Sequence, residues 1–201
     1  MKLRERNRCN HRDYQNLGVN GADSFKMQQY QLSLVRDRFK DKPAVVTYAL
    51  VGNDVCNGYV RDTLAHMTTP AQMKANVLKT LQYLDSILPK GSHVLFMGLA
   101  DGQFLYNLLH SRFHPFGSFR KDVTYPMFYD FMNCLKISPC SGWMSTNATA
   151  RNLTSERAKV LSQTLSQVAQ SYKTKFANFD LNYIDCPLET GEWYIFFVKK
   201  K

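Results

Sequence analysis

The 201-residue sequence contains no run of 18 apolar residues, which excludes a helix long enough to span a membrane. Its start, MKLRERNR, is basic, but no apolar stretch follows it, so these residues do not form a signal peptide. If the protein is secreted, we therefore expect its signal to lie upstream of Met1. On that hypothesis the chain is a fragment of a longer protein.

Cysteine is scarce, with five in the chain, and none occurs in the Cys-x-x-Cys spacing of zinc sites. In a secreted protein some of these cysteines would be bridged, and the odd number leaves at least one thiol over. Cys134 and Cys140 either bridge each other or pair elsewhere, because the connectivity cannot be read from spacing.

Acidic residues are outnumbered 16 to 26 by basic ones, and the resulting net charge of +10 is of the kind found in nucleic-acid-binding proteins. The excess is not spread over a surface, however. Residues 1–12 carry +4 and the three C-terminal lysines +3, which leaves +3 for residues 13–198. We therefore expect no nucleic-acid partner. Disorder is excluded by 44% hydrophobic and 13% aromatic residues.

Three nearly continuous apolar runs, residues 44–51, 93–99 and 179–185, predict strands buried on both faces, and the short 17–19 is a candidate fourth. Helical periodicity separates them over residues 25–39, over 71–88, and from Thr154 or Ser155 to Tyr172. This order indicates right-handed crossovers and a parallel α/β sheet covered on both sides.

Each helical pattern places apolar residues at a spacing of three or four, which predicts core faces. The predicted core residues are Leu32, Val35, Phe39, Met73, Val77, Leu81, Leu84, Leu88, Leu161, Leu165, Val168 and Tyr172. Residues 101–150 do not fit the pattern and are interpreted as an insertion with short helices over 104–113 and 125–135. We predict a single domain over residues 1–201.

The insertion is rich in aromatic residues, which have two interpretations of equal weight. They line a hydrophobic slot for fatty-acyl chains, or they are ordinary core and lid packing. The residues concerned are Phe116, Phe119, Tyr125, Phe128, Tyr129, Phe131 and Trp143. Asn147 and Asn152 each begin an Asn-x-Thr triplet and are candidate glycosylation sites.

Two positions next to predicted strand ends carry residues suited to acyl transfer. Gly21 follows the strand candidate 17–19, and Asn53 follows residues 44–51. A backbone N–H at such a glycine and the asparagine side-chain amide together can form an oxyanion hole. The alternative is that both are ordinary turns, with Asn53 and Asp54 capping the backbone.

The segment NLGVNGA, followed about thirty residues later by VGND, resembles blocks II and III of the SGNH (GDSL-like) hydrolases. That resemblance implies that Gly21 and Asn53 are oxyanion-hole donors. Longer segments, including YALVGNDVCNG, SPCSGWMS and LTSERAKVLS, are similar to one branch of this family. The catalytic large subunit of that branch removes secondary fatty-acyl chains from the lipid A of bacterial lipopolysaccharide. The similarity covers roughly residues 2–186.

The resemblance implies a flavodoxin-like, three-layer fold with a parallel sheet, here incomplete at both ends. Nothing before Asn16 reads Gly-Asp-Ser, and no histidine follows Cys186. We therefore expect the family's serine nucleophile and catalytic histidine to be absent, and the chain alone to be inactive. Residues 187–201 are interpreted as a divergent tail.

Other residues of the chain are weak substitutes for the missing groups. The hydroxyl candidates are Ser24, Ser141 and Ser145, and the base candidates are His66, His110 and His114. His110 and His114 lie four apart with Asp101 nearby, but a metal site there lacks a third ligand. We expect all of them to be packing residues.

The resemblance also implies partners and a location. It implies an acylated lipid or lipopolysaccharide substrate, a disulfide-linked small subunit in the full-length protein, and a secreted or endolysosomal location. It implies no cofactor in this chain, since the calcium of the resembled enzymes binds upstream. The alternative is a secreted, non-catalytic lipid-binding module derived from the same fold.

Overall fold

The computed structural model describes residues 15–56 and 64–186. The residues on which the interpretations of the basic start and of the 187–201 tail rest lie outside these ranges. The helices are α1 (Ser24–Tyr30), α2 (Pro70–Ile87), α3 (Gln103–Leu109), α4 (Tyr125–Cys134) and α5 (Ala148–Tyr172). The strands are β1 (Val45–Tyr48), β2 (Ser92–Met97) and β3 (Phe179–Ile184), and 3-10 turns occur at Gln31–Ser33 and Pro115–Gly117. Among the helices of the described ranges, none combines the length and apolar character needed to cross a bilayer.

The three strands form one parallel sheet in the order β1-β2-β3, with Val45 opposite His93 and His93 opposite Asp180. The helix α2 lies between β1 and β2 in sequence, and α5 lies between β2 and β3. The predicted parallel α/β fold is therefore confirmed. Residues 17–19 do not form the candidate fourth strand, so β1 and β3 are the edges of the sheet within the described residues.

Burial alternates along the strands. Val94, Phe96 and Leu181 belong to the core cluster that α2 and α5 cover, whereas residues of the opposite face, such as Val45 (69% exposed) and Asn182, are open to solvent. The expectation that the strands are buried on both faces is thus wrong for the described residues. The apolar runs reflect one packed face and one partly apolar open face.

The helix α2 follows its sequence pattern closely. Thr69 and Gln72 form a capping box, and Pro70 occupies the first turn, where a missing N–H costs nothing. Its predicted core residues, from Met73 to Leu88, are all buried. The predicted core residues of α5 also pack in the core cluster. This helix starts six residues before Thr154, because the Asn147 side chain caps it by accepting from the Ala150 N–H (3.2 Å).

The first helix is much shorter than the predicted 25–39. It ends at Tyr30, and a 3-10 turn leads to Leu34 in an extended conformation (φ −71°, ψ 110°). The chain thereby changes direction, so a spacing of three or four no longer defines one face. The predicted core residues Leu32, Val35 and Phe39 are all exposed as a result. In the insertion, α3 ends at Leu109 rather than at residue 113.

Leu81 and Leu32 provide a matched test of this packing, because one is fully buried and the other is 64% exposed. We expect Leu81→Ala to lower the free energy of unfolding by about 2–5 kcal/mol through lost burial and an unfilled cavity. We expect Leu32→Ala to change it by less than about 0.5 kcal/mol. Urea unfolding followed by far-UV circular dichroism measures both, and equal losses would contradict the assignment of the core.

Candidate active site

The loops that carry Gly21 and Asn53 meet beside the carboxyl end of β1. The Asn53 side-chain amide Nδ2 donates a hydrogen bond to the Ala22 carbonyl oxygen at 2.8 Å. Because Ala22 is the neighbour of Gly21, the two residues predicted from sequence are brought to one edge of the sheet. Their role as oxyanion donors stays a prediction.

Gly21 lies in a turn in which the Ala22 N–H donates to the Val19 carbonyl oxygen at 3.1 Å. Its φ of +73° is the left-handed conformation that favours glycine at the third position of such a turn. A Cβ at Gly21 would meet no atom within 4 Å, so conformation, rather than crowding, requires the glycine. Within the described residues its N–H has no acceptor, and the residue is exposed.

Asp54 connects the same two loops and is fully buried. Its carboxylate accepts from the Ser24 N–H at 3.0 Å and from the Ser24 hydroxyl at 2.6 Å. The Asn76 side-chain amide of α2 donates to the Ser24 hydroxyl oxygen at 3.0 Å, and Gln28 donates to Asn76 at 2.8 Å. This chain of hydrogen bonds fixes both loops against α2.

Burial raises the pKa of Asp54, while hydrogen bonds from Ser24 and Thr68 oppose the shift and the nearby Asp23 adds to it. The sequence indicates Asp54 only as a turn residue that caps backbone. Its partner lies 30 residues away, and no local pattern reveals such a pairing.

The loop after β1 is also strained at Val51, whose φ of +58° is unusual for a β-branched residue. Such a conformation costs on the order of 1–3 kcal/mol and persists only where neighbouring contacts impose it. Here the Ala100 N–H donates to the Val51 carbonyl oxygen at 2.8 Å. The loop bearing Asn53 is thus tied to the loop that follows β2.

Trp143 packs between the loop after β1 and the loop after β2. A Cβ at Gly52 would lie 2.5 Å from its ring, and a Cβ at Gly102 would overlap it. The indole N–H donates to the Ser155 hydroxyl at 3.0 Å, and that hydroxyl donates to Asp101. Trp143 is buried, so it belongs to the core rather than to an open acyl slot.

A disulfide links Cys56, in the loop after Asn53, to Cys140 of the insertion, across 84 residues. Of the alternatives left open by the sequence, the Cys134–Cys140 pairing is therefore wrong. Cys134 is exposed at the end of α4. The disulfide fixes the insertion to the candidate site.

The other aromatic residues do not form one slot. Tyr129 is buried, Tyr125 and Phe128 are half-buried, and Phe116, Phe119 and Phe131 are exposed. Ring contacts connect several of them instead, for example Phe116 with Phe128 at 5.6 Å and Tyr125 with Tyr129 at 5.8 Å between centroids. They form a packed aromatic layer with an exposed side.

Four of the six serine and histidine candidates make structural hydrogen bonds or ring contacts. Ser24 is buried and bound to Asp54, and the Ser145 hydroxyl accepts from the Asn147 N–H. His110 contacts the Asn107 carbonyl oxygen at 2.9 Å, and His114 stacks on Phe128 with centroids 3.9 Å apart. His66 is exposed, and Ser141 is half-buried. No three His, Cys, Asp or Glu side chains of the described ranges cluster as metal ligands.

A groove of about 550 Å³ runs along the open edge of β1, between that strand and residues 15–19, and reaches Asn53. Three buried polar atoms in its lining, the Tyr48 hydroxyl, the Thr80 hydroxyl and the Gln31 side-chain oxygen, have no hydrogen-bond partner within the described residues. Burial raises the pKa of Tyr48 well above its ordinary value, which keeps the hydroxyl neutral.

Comparison with known proteins identifies the family of the chain. The family model described as GDSL-like lipase/acylhydrolase matches residues 1–200. This match includes residues 187–200. Their interpretation as a divergent tail stays a prediction.

The chain is also similar to acyloxyacyl hydrolases of three mammals. It is 56% identical to that of Oryctolagus cuniculus over 195 residues, which is 96% of this chain and 34% of that protein. The corresponding identities are 54% for Mus musculus and 52% for Homo sapiens, each over 92% of this chain and 32% of the relative. The chain thus spans about a third of the length of the curated relatives it matches.

The buried carboxyl of Asp54 predicts a pH dependence of stability. Because its pKa is raised in the folded state, its contribution to stability is complete below the unfolded value of about 3.9 and is lost as pH rises through the folded pKa. Asp54→Asn cannot ionise. We therefore expect the free energy of unfolding of the native chain, relative to this variant, to fall as pH rises from about 4.

Urea unfolding of both proteins at several pH values measures this difference, and subtraction removes the titration of all other groups. Asp122→Asn is a matched control on an exposed aspartate. A difference between native and Asp54→Asn that stays constant or grows with pH would contradict the raised pKa.

Proposed function

Since this chain belongs to the GDSL-like lipase/acylhydrolase family, we propose that its two joined loops form the oxyanion site of an enzyme that hydrolyses fatty-acyl esters. The observation that carries the proposal is the hydrogen bond from Asn53 to Ala22, which holds the Asn53 amide beside Gly21. In this proposal the chain is the central part of the catalytic domain of a longer, acyloxyacyl-hydrolase-like protein.

The side-chain amide of Asn53 has two N–H groups, and the Ala22 carbonyl oxygen uses one of them. The second is available to a substrate oxygen, together with the Gly21 N–H, which has no acceptor within the described residues. In acyl transfer, the carbonyl oxygen of the ester gains negative charge as the nucleophile attacks. Fixed N–H donors stabilise that charge without reorganising, and each is typically worth about 10²–10³ in kcat.

The groove along β1 supports a site for the nucleophile. An open strand edge suits an added parallel strand, whose backbone supplies donors and acceptors. The carboxyl end of such a strand would lie near Asn53. We place the serine nucleophile there, on a segment other than the described residues, with a histidine base on a further segment.

For the substrate we propose the secondary acyl chains of lipid A in bacterial lipopolysaccharide, because the similar proteins are named acyloxyacyl hydrolases. The disulfide between Cys56 and Cys140 supports a secreted or endolysosomal location, where thiols oxidise. Asn147 and Asn152 are exposed and accessible to glycosylation. The exposed thiol of Cys134 is our candidate for the link to a small subunit.

If the nucleophile lies outside this chain, the chain alone is inactive. We expect the purified 201-residue protein to hydrolyse a chromogenic short-chain ester, and acylated lipopolysaccharide, no faster than buffer does. Turnover that a serine-reactive phosphonate abolishes would show that the chain contains its own nucleophile and would contradict this part of the proposal.

The oxyanion site is tested in a chimera in which this chain replaces the matching segment of the rabbit acyloxyacyl hydrolase. We expect the chimera to hydrolyse acylated lipopolysaccharide and Asn53→Ala to lower its kcat about 10²–10³-fold with a smaller change in KM. Asn107→Ala, an exposed asparagine of α3, is the control and should stay within about twofold.

Thermal unfolding establishes that each chimera is folded. A folded chimera that binds acylated lipopolysaccharide without hydrolysing it would favour the alternative, a non-catalytic lipid-binding module. An active chimera insensitive to Asn53→Ala would retain the family function but contradict the role of Asn53.

A further inference from the structure

The insertion contains a protruding turn, which we call the insertion tip, formed by Phe116, Phe119, Arg120 and Lys121. The two phenylalanine side chains are 81% and 98% exposed, and both basic residues are exposed as well. Exposed aromatic side chains of this size are costly in water. A pair within four residues is therefore unusual unless something covers it.

The tip is held in a defined shape. Gly117 is buried so close to Val123 that any side chain there would overlap it, and the Lys121 N–H donates to the Gly117 carbonyl oxygen at 2.7 Å. The Phe116 ring rests on Phe128. The fold thus presents the Phe119 ring outward on a rigid turn rather than on a loose loop.

The charge around the tip is net positive. The stretch from Gln103 to Asp122 contains three basic residues and one acidic residue, Asp122. The apolar side chains exposed along the same stretch are Phe104, Leu105, Leu108, Phe113, Phe116 and Phe119. Aromatic rings beside arginine and lysine suit the interface of an anionic lipid layer, where rings enter the headgroup region and cations meet phosphates.

We propose that the insertion tip docks on the surface of an anionic lipid bilayer. The insertion begins after β2 and ends at α5, and the Cys56–Cys140 disulfide and Trp143 fix it to the candidate site. Docking would therefore hold the carboxyl edge of the sheet near the lipid. The inference deepens the proposed function, since it gives that site a route to lipid substrates.

A second exposed phenylalanine provides the internal comparison. Phe39 is 89% exposed between Arg38 and Lys40, and residues 36–42 contain four basic and two acidic residues. Lys40 pairs with Asp37 at 3.6 Å, and Arg36 lies 3.9 Å from Asp41. Phe39 also precedes β1, at the opposite end of the strands from the candidate site. It is a control for an exposed aromatic ring beside positive charge that lies away from the insertion.

Sedimentation with vesicles tests the proposal on the 201-residue chain. We expect binding to vesicles of phosphatidylcholine mixed with phosphatidylglycerol, and little binding to phosphatidylcholine alone. Phe116→Ser combined with Phe119→Ser should weaken binding at least about tenfold. Arg120→Gln combined with Lys121→Gln should weaken it about fivefold per charge removed, and high salt should do the same.

Phe39→Ser should bind like the native chain, and circular dichroism establishes that all variants are folded. The proposal is overturned if the native chain does not bind the anionic vesicles, or if both tip variants bind as well as Phe39→Ser does. Binding is measured without hydrolysis. Docking without activity in the chimera would contradict only the proposed hydrolysis, and an active chimera that does not dock would contradict only this inference.

Discussion

The arrangement of the candidate site depends on one buried carboxyl group. Asp54 accepts two hydrogen bonds from Ser24, and this contact joins two loops that are 30 residues apart in sequence. Leaving the Ser24 groups buried without partners would cost about 1–3 kcal/mol each. Separating the two loops is therefore energetically unfavourable. The neighbouring bond from Asn53 to Ala22 can then be short and well placed, because its two ends are already held.

The sequence predicted the parts of the fold in which local pattern and burial agree. The prediction of core residues in α2 is correct because a capping box at Thr69 starts a long helix whose apolar residues stay on one face. The same spacing failed at Val35 and Phe39 because α1 ends after seven residues. The strands were located correctly, but their apolar runs could not show that only one sheet face is covered within the described residues.

In the candidate site, sequence indicated residue types but not their connections. Gly21 and Asn53 could be singled out because strand ends in parallel sheets collect functional groups on one edge. Two contacts join distant segments: the hydrogen bond from Ser24 to Asp54 and the disulfide between Cys56 and Cys140. No spacing rule predicts either of them. The aromatic residues of the insertion were ambiguous because cores, pockets and docking surfaces share one composition.

The wedge of Trp143 between Gly52 and Gly102 has an evolutionary consequence. The three positions fill one shared space, so none of them can change size alone. A lineage that acquires alanine at either glycine must also replace the indole with a smaller ring or an aliphatic chain. The order of the two changes matters, because alanine first gives an overpacked intermediate, whereas a smaller side chain first leaves a cavity. These positions should therefore vary together across homologous sequences, even though Gly52 and Trp143 are 91 residues apart in the chain.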